Sequence, residues 1–335
     1  MGKPFVTGID IGHRSLKAVI LKPYGEHYAL LGYKEIIIKD GIFSDNHTLN
    51  HQEIVNSLKE LKKELPLFRY QVALAVPDSS VISKMLSIDA ELDGREREFA
   101  ILQAFAHQSP FPVDELSIDY VQLVEETSKT NHSYQVYATK KEVVESRVRV
   151  AEEVGLKPVL VDVHAHSLCN ILTLAAERHP DKASYCLLDV GYDTTSLVMS
   201  RRNEPPLVKE FAYGVSHLNA SIGDDLTSPD AHEKTDIFNK ELTERVRRQL
   251  QLFQSMDSQS KVNGLWICGE GAITPLLSET LQRKLSLECE VLNPLALFEQ
   301  KTAKRKRRIV DWHHFSVAAG LAIGGIQWLE DSHAA

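Results

Sequence analysis

The chain has 335 residues, of which 43% are hydrophobic and 25% charged, with a formal net charge of −8. That length is too great for one ordinary core and the composition is that of a folded protein, which argues against long disorder and favours two lobes with a cleft between them. The acidic balance excludes a dominant electrostatic affinity for nucleic acid, and no apolar run reaches the ~20 residues of a membrane span. Four cysteines without a C-x-x-C pair, and an N-terminal MGKPFVTG without a signal-peptide core, lead us to expect a reducing cytoplasm and only an indirect link to any membrane.

In chain order, segments 5–11, 16–22 and 28–39 read as a meander of strands, rich in β-branched residues and bounded by glycine and proline. Asn50 with Glu53 resembles a capping box, and Ile54, Leu58, Leu61 and Leu65 then mark one apolar helix face. A strand over 70–76 ends at Pro77. The pattern then changes to strand 81–89, a charged helix from Asp93 to about His107, the breaker cluster SPFP, strand 117–126, strand 134–140, and a helix stopped by Gly155. This block reads as an inserted α+β unit.

Strand 158–163 and a helix over 164–178 lead to LLDVGYDTTSLVM, which echoes GIDIGHRSLKAVI from the N-terminus. The first pattern then recurs as strands 187–191, 194–200 and 207–213, Gly214 and a helical region, so the repeat is of domain size, about 180 residues. Leu242, Val246, Leu250 and Phe253 mark a long helix; a strand over 265–268 runs into GEGA; the last helix, from about His314 to Leu329, is rich in alanine and glycine. The basic run KTAKRKRR, 301–308, reads first as a solvated loop and second as a surface for phosphate or acidic lipid.

A tight hairpin carrying Gly12 or Gly191 lets backbone N–H groups converge on phosphate oxygens, with Ser15, Thr194 and Thr195 adding hydroxyls. Asp10 and Asp189 at the strand ends would repel a bare polyphosphate but suit the water shell of Mg²⁺. Lys17 offers a point charge for phosphate. Each stretch alone is also an ordinary Asp-Gly hairpin; two copies favour a clamp closing on a nucleotide from both lobes. Gly269, Gly271 and Ala272, between a strand and a helix, would allow close approach of an adenosine and its α-phosphate.

These three segments, in this order, resemble the phosphate-1, phosphate-2 and adenosine motifs of the actin-like ATPase superfamily. More narrowly, the chain is similar to the PilM family of type IV pilus assembly, relatives of the division protein FtsA. The segments that carry the likeness span almost the whole chain and include the inserted block through Pro110, Phe111 and Pro112, LVDVHAHSL, CGEGA, VLNPL and AAGLAIGG. The resemblance implies an α/β actin-like fold of two related lobes with mixed sheets flanked by helices. It implies lobe 1 over 1–184, composed of subdomain 1A (1–78 and 153–184) and an FtsA-type subdomain 1C (79–152), with helix 313–335 returning to it. Lobe 2 would span 185–312, with 2A at 185–217 and 263–312 and 2B at 218–262.

It further implies ATP and Mg²⁺, held by Asp10, Gly12, His13, Ser15, Lys17, Asp189, Gly191, Thr194, Thr195, Gly214, Lys234, Gly269, Gly271 and Ala272, with Asp10 and Asp189 toward the metal. The expected partner is the N-terminal cytoplasmic tail of a PilN-like inner-membrane protein; pilus motor ATPases and a second copy of the chain are further candidates. His164 stands where relatives usually have the glutamate credited with orienting the attacking water, so at most slow hydrolysis is expected and His164 is the sole catalytic candidate. Glu270 interrupts a usual glycine pair and Val215 follows Gly214 where a second glycine is common. The function implied is an ATP-binding scaffold at the cytoplasmic face of the inner membrane; an FtsA-like filament and a sugar-kinase-like phosphotransferase are the alternatives.

Overall fold

The computed structural model describes residues 5–38, 48–65, 70–123, 130–201, 204–222, 229–257, 261–301 and 312–334. The opening meander is β1 (Val6–Ile11), β2 (Ser15–Tyr24) and β3 (His27–Ile37), whose last turn is made by Gly25 at φ +63°. Helix α1 (His51–Glu64) follows, burying Ile54, Val55, Leu58 and Leu61 on one face, as the spacing requires. Asn50 does occupy its N-cap position, but its side chain makes no capping hydrogen bond; the expected capping box is absent. The strand after it is β4 (Gln71–Val76).

The next stretch holds β5 (Ile82–Asp89), α2 (Gly94–Ala106), β6 (Leu116–Gln122) and β7 (Asn131–Lys140). Its three strands pair antiparallel in the order β5-β7-β6 and bury Ile101 and Phe105 of α2 against Val136 and Tyr134, a core of their own. Asp93 caps α2 by accepting from the N–H groups of Arg95 and Glu96. Helix α3 (Lys141–Glu153) then stops at Gly155, whose φ of +70° is the left-handed turn that glycine supplies without cost.

After β8 (Lys157–Val163) and α4 (His164–Arg178) come β9 (Tyr185–Val190), β10 (Thr195–Arg201), β11 (Glu204–Phe211), α5 (Val215–Ile222), α6 (Pro229–Met256), β12 (Gly264–Cys268), α7 (Leu277–Leu285), β13 (Glu288–Val291), β14 (Glu299–Gln300) and α8 (Ser316–Ala334). The sheets have orders β14-β3-β2-β1-β4-β8 and β11-β10-β9-β12-β13. Without the short edge strand β14 the two are the same design: an antiparallel meander whose first strand continues, parallel, into two further strands. The echo read in the sequence is therefore a repeat of topology. Most of the basic run 301–308 lies outside the described residues.

One core joins the two sheets. Val6, Leu21 and Leu30 of the first and Leu187 and Trp266 of the second pack on Leu168 and Ile171 of α4 and on Ala318, Ala319 and Ala322 of α8. Helix α8 begins at Ser316, two residues later than expected, because 312–314 forms a separate short turn. Its small residues permit backbone contact: a Cβ on Gly8 would fall 1.9 Å from the Ala318 carbonyl oxygen, and one on Gly320 1.9 Å from that of Ser167. The outer faces are closed separately, by α1 and α3 on the first sheet and by α6 and α7 on the second. The ends of β1 and β9 are thereby brought to one cleft.

Candidate functional site in the cleft between the lobes

At the ends of β1 and β9 the chain makes the same turn twice. The Gly12 N–H donates to the Ser15 carbonyl at 3.0 Å, and the Gly191 N–H donates to the Thr194 carbonyl at 2.9 Å. A Cβ on Gly191 would sit 2.9 Å from that Thr194 oxygen, a clash that glycine avoids, and one on Gly12 3.2 Å from the Ser15 oxygen, a tight approach to which that turn would have to yield. The two turns meet across the cleft: His13 Nδ1 lies 3.1 Å from Asp193 Oδ2, and the Arg14 guanidinium sits 5.5 Å over the Tyr192 ring. His13 and Asp193 are both well exposed, at 53% and 41%, so the clasp is electrostatically weak.

Beneath the clasp lies a buried charge network. Lys17 faces Asp10 in the β1–β2 register, and its Nζ is 3.6 Å from Asp10 Oδ2 and 3.6 Å from Glu270 Oε1. Burial opposes its charge, but Asp10, Glu270, Glu35 and Asp189 outweigh burial and hold the Lys17 pKa above its ordinary value. Lys17 is thus a fixed cation that ties a strand of one sheet to the turn after β12, instead of a free arm. Asp189, also buried, accepts from the Cys268 thiol at 3.3 Å. Burial raises its pKa, against the pull of His164 and Lys17.

His164 opens α4. Its Nδ1 is 3.6 Å from Asp78 Oδ2, and neither atom has a hydrogen-bond partner among the described residues, while Asp78 Oδ1 accepts from the Ala165 N–H at 3.0 Å. Burial works against the imidazolium, but Asp78, with Asp189 and Asp10 behind it, wins and pushes its pKa up to about 9. A doubly protonated ring has no lone pair to take a proton from water. Two residues further on, His166 Nδ1 is 2.7 Å from Asp162 Oδ1, and the His166 ring meets the ring of Tyr137 on β7 at 4.9 Å. The β5–β7–β6 unit and the cleft therefore touch the same end of α4.

The remaining sequence candidates divide. Gly269, at φ +86°, abuts the end of β9: a Cβ there would lie 2.5 Å from the Val190 carbonyl oxygen. Gly214 packs on the second turn, where a Cβ would come 2.3 Å from the Tyr192 carbonyl oxygen. The Thr194 hydroxyl donates to Glu210 at 3.3 Å, whereas Thr195 is fully buried and donates to the Tyr213 carbonyl at 2.6 Å. Ser15 is buried beside Glu35. Gly271 packs on the Val190 side chain and Ala272 lies in the core of the second sheet, so both face protein. Lys234 is on α6, and no hydrogen bond or ion pair among the described residues joins it to the three turns.

Asp78, Glu35, Glu210 and His314 were not foreseen. His314 Nε2 is 3.2 Å from Glu35 Oε2; although burial opposes ionisation, His314, Ser15 and Lys17 hold Glu35 below its usual range. Asp78 could have been found, since it lies just past the end of β4, much as Asp10 and Asp189 lie in the last residues of β1 and β9. Glu35 and Glu210 lie within strands and carry no such mark.

Among the described residues the network is rich in carboxylates: Asp10, Glu35, Asp78, Asp189, Glu210 and Glu270 face Lys17, His164 and His314. Among the described residues no three His, Cys, Asp or Glu side chains are gathered to hold a metal by themselves. A divalent cation that keeps its waters and also takes oxygens from a ligand suits this arrangement, because it supplies the missing positive charge without a protein cage. The Gly12 and Gly191 N–H groups are spent on the Ser15 and Thr194 carbonyls, so a polyphosphate would be met by other N–H groups of these turns. The residues present fit a magnesium-bound nucleotide.

Comparison with known proteins agrees in fold. A structure of the PilM-PilN type IV pilus biogenesis complex matches with a TM-score of 0.78 at 22% identity, over 96% of this chain and 98% of that one. The ethanolamine utilization protein EutJ from Carboxydothermus hydrogenoformans matches with a TM-score of 0.48 at 13% identity, over 96% and 90% of the two chains. A Bacteroides thetaiotaomicron protein with an actin-like ATPase fold matches at 0.43 and 12%, over 88% and 93%. The architecture is the α/β actin-like ATPase fold. The family model described as type IV pilus assembly protein PilM matches residues 8–326, and the chain belongs to that family.

Proposed function

We propose that this PilM-family chain is an ATP-binding scaffold of type IV pilus assembly, in which Mg²⁺-nucleotide in the cleft is coupled to capture of the cytoplasmic tail of a PilN-like inner-membrane protein. The observation that carries the nucleotide reading is the pair of identical glycine turns, one from each sheet, meeting over Asp10 and Asp189. Magnesium, when bound, neutralises phosphate charge. Asp10 and Asp189 would orient its water shell, the Gly12 and Gly191 turns would direct N–H groups at phosphate, and Lys17, clamped by Asp10 and Glu270, would fix the spacing between the lobes. His164 serves as a stationary cation and not as a base, which favours retention of the nucleotide over its turnover.

The solved PilM-PilN complex supports a PilN-type partner for this chain. Its tail would lie extended against the first lobe and the β5–β7–β6 unit, held by main-chain hydrogen bonds and side-chain pockets. The contacts His164–Asp78 and His166–Tyr137 at one helix end offer a physical route between that surface and the cleft. No helix among the described residues is long and apolar enough to cross a membrane, and in this reading the partner supplies the membrane attachment, at the cytoplasmic face.

Isothermal titration with ATP and Mg²⁺, with and without a synthetic peptide of the partner's N-terminal tail, tests the proposal. Binding of both, with mutual changes in affinity and slow phosphate release, is expected. Silence toward ATP overturns the nucleotide reading; rapid phosphate transfer to a sugar would favour the kinase, and nucleotide-dependent sedimentation without peptide binding would favour the filament.

A further inference from the structure

A cavity of about 470 Å³, lined by no residue of the glycine turns, opens where the chain crosses between the sheets. It is bounded by the C-terminal end of α4 with the following turn, by β12 and β13, and by the connection from Leu292 to Glu299 that carries the chain into β14. Both crossings of the chain between the two sheets in this region thus border the same space. Its floor is apolar, from Val291, Leu292, Leu297 and Phe298, and one wall is the buried indole of Trp266.

The polar groups around the cavity are not equally occupied. Glu290 is satisfied: both its carboxylate oxygens accept from Lys182 Nζ at 2.7 Å, and Oε1 also accepts from the Trp266 indole N–H at 2.6 Å. The Asn293 side chain caps the short turn after it by accepting from the Leu295 and Ala296 N–H groups. Arg178 stands apart. Its guanidinium makes no hydrogen bond or ion pair among the described residues, and its Nε is buried without a partner. A permanently charged fork donor with a buried, unsatisfied N–H beside an apolar, indole-walled cavity is the complement of a carboxylate on an apolar body.

We propose that this inter-lobe cavity is a binding site for an apolar carboxylate, with Arg178 pairing the carboxylate and the Trp266–Phe298 walls covering the apolar part. Arg178 is the one permanently charged lining group without a partner among the described residues, which argues for one acidic group and not for a polyanion, since Glu290 already engages Lys182 and Glu299 adds negative charge at the rim. The site shares no residue with the nucleotide cleft, and the proposal stands whether or not the chain binds ATP. Because the walls are the segments that join the sheets, a ligand here would touch both lobes at once.

The test is direct binding, by ligand-observed NMR and thermal shift, of indole-3-propionate and octanoate, each beside its neutral primary amide, to the full-length protein. Acetyl-leucyl-phenylalanine with a free or an amidated C-terminus asks whether a peptide end is the better source of the same carboxylate. The acids are expected to bind and raise the melting temperature, and the amides to bind at least about tenfold more weakly, as does every acid to Arg178→Gln. Arg178→Lys should recover part of the affinity. Ala296→Trp, which fills the cavity without touching the charge, should also abolish binding. Equal binding of acids and amides, unchanged binding to folded Arg178→Gln, or no binding of any acid to the unaltered protein overturns the proposal.

Discussion

His164 shows how one residue's chemistry is set by neighbours distant in sequence. Its folded pKa of about 9 stands above the ordinary 6.5, so the stabilisation it contributes is complete below about pH 6.5 and is lost as pH rises through about 9. Asp78→Asn removes the main cause of that shift. We expect the unaltered protein to lose on the order of 2 kcal/mol more stability than Asp78→Asn between pH 6.5 and 9.5, read as the change in denaturation midpoint. A pH profile identical in the two proteins would refute the His164–Asp78 pairing. Replacing His164 by Glu supplies the acceptor that the imidazolium lacks, and phosphate release from bound ATP should rise by about tenfold or more. At the strand ends, alanine at both Asp10 and Asp189 should weaken Mg²⁺-ATP binding at least about tenfold by calorimetry, since the pair is proposed to hold the metal's water shell; unchanged affinity would end that assignment.

Among the elements, α8 carries the most stringent packing. Gly8 on β1 and Gly320 on α8 each bring backbone against backbone, where an added methyl group has no flexible side chain to displace. Gly8→Ala and Gly320→Ala are each expected to cost about 3 kcal/mol in chemical denaturation, through overpacking and local separation of the helix from β1 or α4. Gly94 is the control: nothing lies within 4 Å of its Cβ position, at the first residue of α2, and Gly94→Ala should be neutral or stabilising by about 0.5 kcal/mol. A different kind of constraint holds α3, whose Arg147 is almost fully buried and donates from Nε to the Ala75 carbonyl at 2.8 Å and from an Nη to Val143 at 2.8 Å. Burial lowers its pKa to about 10, yet the chain keeps the charge there, bonding α3 to the strand that precedes the inserted unit.

For the whole molecule, the two lobes are fused by one core through α4 and α8 at the back and joined at the front by the clasp of the two turns. The back is hydrophobic and extensive; the front is a pair of exposed polar side chains. Opening should therefore begin at the front. In a double-mutant cycle on nucleotide affinity with His13→Ala and Asp193→Ala, a coupling of about 0.5 kcal/mol is expected, shrinking with added salt, as for other exposed ion pairs. A coupling that persists unchanged at high salt would show that the clasp is not electrostatic. If nucleotide and partner tail are linked through α4, each must alter the other's affinity by the same factor.

Much of this was legible along the chain. Periodicity and glycine placement located most strands and helices, and the recurrence of Asp, an apolar residue and Gly before a hydroxyl residue announced the duplicated hairpins, because turn geometry is a local property that a few residues determine. The alanine and glycine content of α8 likewise announced close packing. What could not be read were the relations between residues far apart in sequence: that Glu270 and Asp10 share Lys17, that Asp78 faces His164, that Gly271 and Ala272 turn toward protein, and that Arg178 has no partner among the described residues. Burial and charge pairing depend on which surfaces the fold brings together. A carboxylate's role in the cleft follows from that assembly and not from its place in the chain.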